Sequence, residues 1–134
     1  MTEEEAKGIC ERIRQVAYDL HVYLGVGFLE KVYENALAHR LGSAGMNVST
    51  QVPIVVRDED GFVIGEYVAD MLVDGMLVEL KAVSTLLPVH AAQTLNYLKA
   101  TGIEHGLLIN FGSYRFECQK FVLRNATSRR IDGV

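Results

Sequence analysis

The dipeptide Asp74-Gly75 lies between two apolar runs, Tyr67 to Val73 and Met76 to Val83. Such a pair is the strongest short-range signal for a tight β-hairpin. A two-residue loop there fixes the register: Val73 faces Met76, Leu72 faces Leu77, Met71 faces Val78, and Asp70 faces Glu79. Side chains alternate along a strand, so Leu77, Glu79 and Lys81 share one face. Asp70 and Glu79 become cross-strand neighbours, with Cβ atoms expected about 4.5–5.5 Å apart. Opposed carboxylates destabilise a sheet. The flanking Ala69, Met71, Val78 and Leu80 mark strands in which unpaired charge is seldom buried. A hard divalent cation relieves the repulsion, because Mg²⁺ takes oxygen ligands and keeps positions open for a phosphate oxygen. Lys81 projects beside the carboxylates, suited to orient an attacking water or to stabilise phosphoryl charge. The plainer alternative is a salt-bridge cluster in which Lys81 only neutralises one carboxylate.

The rest of the chain frames this hairpin. Thr2 to Leu24 reads as a helix capped by Thr2, with Glu3 to Glu5 favouring its N-terminus and a stripe of Ile9, Ile13, Val16, Ala17 and Leu20. Gly25-Val26-Gly27 breaks it. A second helix is expected from about Phe28 to Ala44, with Leu29, Val32, Tyr33, Ala36, Leu37 and Leu41 as its apolar stripe. Val52 to Arg57 is β-rich, with a turn at Asp60-Gly61. Pro88 opens a third helix that Gly102 stops after Thr101. Gly106 to Phe111 is apolar apart from Asn110, as for a strand covered on both faces. Tyr114 to Leu123 adds a further strand or strand pair, and the tail from Arg124 is polar and expected to be loose. The order predicts one domain over 1–134, a mixed α/β sheet with helices packed on it.

Two helices carry further polar candidates. Glu30 shares a face with Tyr33 and Leu37, so it borders the apolar stripe and aims a further acidic group at the metal. The helix dipole alone is a sufficient reason for a glutamate there. His90, Gln93 and Tyr97 line one face of the third helix. Taken alone, that helix is amphipathic, with those groups toward water and Ala92, Leu95 and Leu98 toward the core. Beside a metal site, Gln93 is placed to hold water or a ligand and Tyr97 to contact phosphate, while nothing fixes the direction of His90. His21, His39 and His105 form no ligand pair and read as structural or surface groups.

Composition narrows the classes. A chain of 134 residues suits a single core, and its formal net charge of −4 counts against a protein that coats nucleic acid non-specifically. Bound divalent cations add local positive charge that this count omits. The basic candidates Lys7, Arg12, Arg14, Lys31, Arg124, Arg129 and Arg130 are scattered, so a homodimer or protein partner is expected to help grip the substrate. Cys10 and Cys118 lie in no CxxC or Cys/His spacing and read as two small, partly buried thiols. No apolar run is long enough to cross a bilayer. The acidic start, Met1 to Lys7, is unlike a secretory signal, so the expected compartment is the cytoplasm. Nucleophile elbows, GK[ST] phosphate loops and dinucleotide fingerprints are absent.

Taken in order, several segments resemble one family. Gly27-Phe28-Leu29-Glu30-Lys31-Val32-Tyr33 is similar to the motif that names the bacterial GxxExxY proteins. Tyr67 to Asp70, Val78 to Val83, Gln93 to Thr101 and Gly106 to Gly112 continue the likeness, which covers about Ile9 to Leu123. That family looks like a branch of the PD-(D/E)XK nuclease superfamily with a RecB-like Q-x-x-x-Y helix. The resemblance implies a restriction-endonuclease-like αβββαβ core, here with an extra N-terminal helix, and Mg²⁺- or Mn²⁺-dependent hydrolysis of phosphodiester bonds, DNA ahead of RNA. It carries metal binding to Asp70 and Glu79, with the carbonyl of Leu80, and the catalytic lysine to Lys81. The helical glutamate falls on Glu30 and the accessory pair on Gln93 and Tyr97, with His90 and Tyr33 as weaker candidates. Ala69 stands where the family motif has proline. The rival is a catalytically silent nuclease fold that binds nucleic acid or a protein partner.

Overall fold

The structure is a computed structural model that describes residues 1–124. Arg129, Arg130 and the tail beyond Arg124 lie outside the described residues. Helix α1 spans Glu3–Leu24 and begins with a capping box: Glu5 N–H donates to Thr2 Oγ1 at 3.0 Å, and Thr2 N–H donates to Glu5 Oε1 at 3.3 Å. It buries Ala6, Ile13, Ala17 and Leu20, with Ile9 and Val16 half-buried beside them. Helix α2 spans Glu30–Ser43, not Phe28 to Ala44. Leu29 is its N-cap and is 79% exposed, and Val32 is also exposed, so neither joins the stripe that sequence predicts. The stack of Tyr33 on Phe111, centroids 4.9 Å apart, turns Tyr33, Glu34, Leu37 and Leu41 inward instead.

Five strands follow the order β1-β2-β3-β4-β5, with α3 (Pro88–Thr101) carrying the crossover. They are β1 (Val48–Arg57), β2 (Val63–Val73), β3 (Met76–Lys81), β4 (His105–Asn110) and β5 (Glu117–Val122). Only the β3–β4 pair is parallel. The fold is thus the expected mixed α/β sheet with helices packed on it, extended by α1 and by a single further strand, β5. Strands β1 and β2 begin four residues earlier than their apolar runs, because Ser49, Thr50 and Glu66 pair through backbone while their side chains face water.

Helices α1 and α2 cover one face of the sheet over Met71, Val73, Met76, Val78, Leu80, Leu107 and Ile109. Helix α3 covers the other over Ile54, Ala69 and Leu77. Ala69 and Met71 are two residues apart and would share a face in a regular strand, yet they pack in opposite layers. Strand β2 therefore changes face at Asp70. On the neighbouring strand, Gln51 drops out of the ladder between the pairs Thr50–Met71 and Val52–Ala69, opposite Asp70 and without a shift of register, and adopts φ 54°.

The end of β3 is clamped to the end of β4. The fully buried Asn110 accepts from Val83 N–H at 3.0 Å through Oδ1 and donates to Val83 carbonyl oxygen at 2.8 Å through Nδ2. Phe111 N–H donates to Lys81 carbonyl oxygen at 2.8 Å. Gly112 lies so close that a Cβ there would fall 2.3 Å from Val83 N. Only glycine lets the two chains meet, and the meeting fixes the backbone immediately after Lys81.

Candidate active site

The hairpin forms in the predicted register, with Val73–Met76, Leu72–Leu77 and Met71–Val78 paired. Asp74 at φ 47° and Gly75 at φ 86° give the left-handed pair that a two-residue loop demands. Beyond Met71–Val78 the side chains take over from the ladder. Asp70 N–H donates to Glu79 Oε1 at 2.8 Å, and Leu80 N–H donates to Asp70 Oδ2 at 2.8 Å. Each carboxylate thus ties down backbone around the other, and the two are held together by reciprocal bonds. Asp70 Oδ1 and Glu79 Oε2 accept no hydrogen bond among the described residues.

Charge accumulates here. Glu79 is 4% exposed. Burial, reinforced by the Asp70 charge, pushes its carboxyl up to about 8, against the pull of the Asp70 N–H bond and Lys81. Burial also raises Asp70, opposed by the Leu80 N–H bond and by Lys81 and Lys31. Glu30, at the start of α2, is raised by burial and by Asp70 and is lowered by Lys81. Lys81 is therefore within electrostatic reach of three acids, yet among the described residues it forms no ion pair. The salt-bridge alternative for Lys81 is not what the geometry contains.

Helix α3 buries Tyr97 and half-buries His90 and Gln93, which the amphipathic expectation turns to water, and of the three residues expected in the core it buries Leu98 alone. Thr94, Tyr97 and Leu98 are buried, whereas Ala92 and Leu95 are exposed. Gln93 Nε2 donates to Tyr97 Oη at 3.1 Å. Burial, then the charges of Glu79 and Asp70, raise the Tyr97 phenol, which ties α3 to the carboxylates. Two weaker candidates have structural positions instead. Tyr33 is fully buried, and its hydroxyl donates to Gly25 carbonyl oxygen at 2.6 Å, closing the α1–α2 loop. His90 Nδ1 accepts from Leu87 N–H at 3.0 Å and caps α3. Of the other buried histidines, His21 Nε2 bonds Ser113 carbonyl oxygen at 2.8 Å, and His105 Nδ1 has no hydrogen-bond partner among the described residues.

Sequence reading missed Glu34 and Gln51. Glu34 is 4% exposed, and both its oxygens accept from Gln51 Nε2 at 3.0 Å while Lys31 pairs with it at 2.9 Å. This buried group holds Gln51, the left-handed residue of β1 opposite Asp70. Its i, i+4 spacing from Glu30 was the available signal.

Among the described residues, no three acidic, His or Cys groups form a ready metal cage. The donor chemistry still fits a hard cation. Two carboxylates, each with one oxygen that accepts no hydrogen bond among the described residues, at a place where burial disfavours their joint ionisation, match Mg²⁺, which binds through one or two carboxylates plus water and phosphate instead of an all-protein cage.

A profile of the PD-(D/E)XK nuclease superfamily matches residues 7–121. No curated protein matches the chain. The crystal structure of SSO0001 is similar in fold, with a TM-score of 0.58 at 20% identity over 96% of this chain and 68% of that one.

Proposed function

Because the chain belongs to the PD-(D/E)XK nuclease superfamily, whose members are generally nucleases that typically use divalent metals, we propose that it hydrolyses phosphodiester bonds of nucleic acid with Mg²⁺ or Mn²⁺, DNA ahead of RNA. Within the superfamily we place it in the GxxExxY, Q-x-x-x-Y branch. The observation that carries this reading is the reciprocal lock of Asp70 and Glu79, with Lys81 in electrostatic reach of both and in no ion pair among the described residues.

Asp70, Glu79 and the carbonyl of Leu80 would hold the cation. When bound, it polarises the scissile phosphate and acidifies water. Lys81 orients the attacking water and offsets negative charge growing on the phosphate. The charges of Asp70 and Lys81 act on Glu30, so Glu30 contributes to the charge balance of the site. Gln93 fixes the Tyr97 hydroxyl so that it meets a phosphate oxygen. The net charge of −4 favours one rival, a silent nuclease fold that only binds nucleic acid or a protein. Among the described residues no helix is long and apolar enough to cross a membrane; the cytoplasm is the compartment we propose, with a second copy or a protein partner aiding substrate grip.

Incubation with labelled single- and double-stranded DNA and RNA, with Mn²⁺ or with a chelator, tests the proposal. Cleavage should need the cation and vanish in Asp70→Ala. Binding without cleavage on every substrate would favour the rival.

A further inference from the structure

Tyr67 stands on β2 three residues before Asp70, about 10 Å along the strand. Its ring rests against Tyr97, with centroids 5.7 Å apart at 45°, and yet Tyr67 remains 52% exposed. Tyr97 is only 6% exposed and is the group whose hydroxyl feels Glu79 and Asp70. One side of Tyr67 is thus supported by the wall of the carboxylate site, while much of its ring is left to solvent.

Charge argues for what covers the ring. Seventeen acidic side chains outnumber thirteen basic ones, so phosphate neutralisation by the protein is a weak source of affinity. An aromatic face binds a nucleobase without needing positive charge, and does so for any base. Bases are open to such stacking in single strands and closed to it inside a duplex.

We propose that Tyr67 is a stacking platform for an unpaired base next to the scissile phosphate, and that the substrate is single-stranded nucleic acid. The proposal rests on the hydrolytic reading of the Asp70–Glu79 site for the phrase "scissile phosphate", but the platform itself is testable by binding alone. Tyr67 acts as a positioning residue: it holds the strand while the carboxylate site acts.

The test uses a single-stranded oligodeoxynucleotide containing 2-aminopurine, bound by the full chain carrying Lys81→Ala so that the strand stays intact. Binding should quench the fluorescent base and exceed binding to the matching duplex. Adding Tyr67→Ala should weaken single-strand binding about ten-fold, while Tyr67→Phe, which keeps the ring, should restore it. The loss should disappear on an oligonucleotide whose base is removed at the contacted position, a result that a folding defect does not produce. Equal binding of duplex and single strand, no binding of either, or an unchanged Tyr67→Ala variant overturns the proposal. Tyr67-dependent binding by a wild-type chain that cuts nothing leaves the platform standing and removes the hydrolytic reading instead.

Discussion

Glu79→Gln should raise the stability of the cation-free protein at pH 9 and flatten its dependence on pH. The wild-type Glu79 carboxyl is held near 8 in the fold, against an ordinary 4.5. Below about 4.5 the folded and unfolded chains both carry this proton, so nothing is lost. Between 4.5 and about 8 the folded chain keeps a proton that the unfolded chain has released, and stability falls as pH rises. The slope is on the order of 1 kcal/mol per pH unit, or a few kcal/mol over the window. Asp70 and Glu30 are shifted in the same direction and add to it. A glutamine keeps the oxygen that accepts from Asp70 N–H and has no charge to desolvate. Thermal unfolding from pH 5 to 9 in chelator should show the wild-type Tm dropping by roughly ten degrees and the variant nearly level. A wild-type curve that rises across that range would mean that the two carboxylates are not forced together.

Lys81→Ala should lower cleavage by about 10²–10³-fold, the loss typical of removing one preorganised charge from developing negative charge. The same substitution should leave affinity for Mn²⁺ unchanged or increase it, since it deletes a cation from the vicinity of the binding oxygens. The backbone at 81 is independently fixed by the Phe111 bond to its carbonyl and by Asn110, so the fold should survive. Single-turnover cleavage beside a cation titration separates the effects. A variant that cuts at the wild-type rate would remove Lys81 from the chemistry; one that no longer takes up Mn²⁺ would make it a structural support.

The register as far as Met71–Val78 was readable in advance because a two-residue loop leaves one choice, and that register brings Asp70 and Glu79 within reach of one another. What lay beyond reading was the next step, where carboxylates replace ladder bonds and β2 changes face. That change accompanies Gln51 in a left-handed conformation that no glycine announces, stabilised by a Glu34 distant in sequence. Helix α3 misled for a different reason. Ala92 and Leu95 outweigh Thr94 on any hydropathy scale, but the sheet beneath presents acids and Tyr67, so the face with Gln93 and Tyr97 is the one that fits. Asn110 and Gly112 matched a family pattern as letters. Their use in joining the ends of β3 and β4 needed the parallel pair in place.

Calorimetric titration of the protein with Mn²⁺ at pH 8 bears most directly on whether two acids from adjoining strands seize one ion. Saturable uptake accompanied by proton release, abolished in Asp70→Asn, is the predicted record. Absence of uptake by the wild type, or undiminished uptake after that substitution, contradicts it.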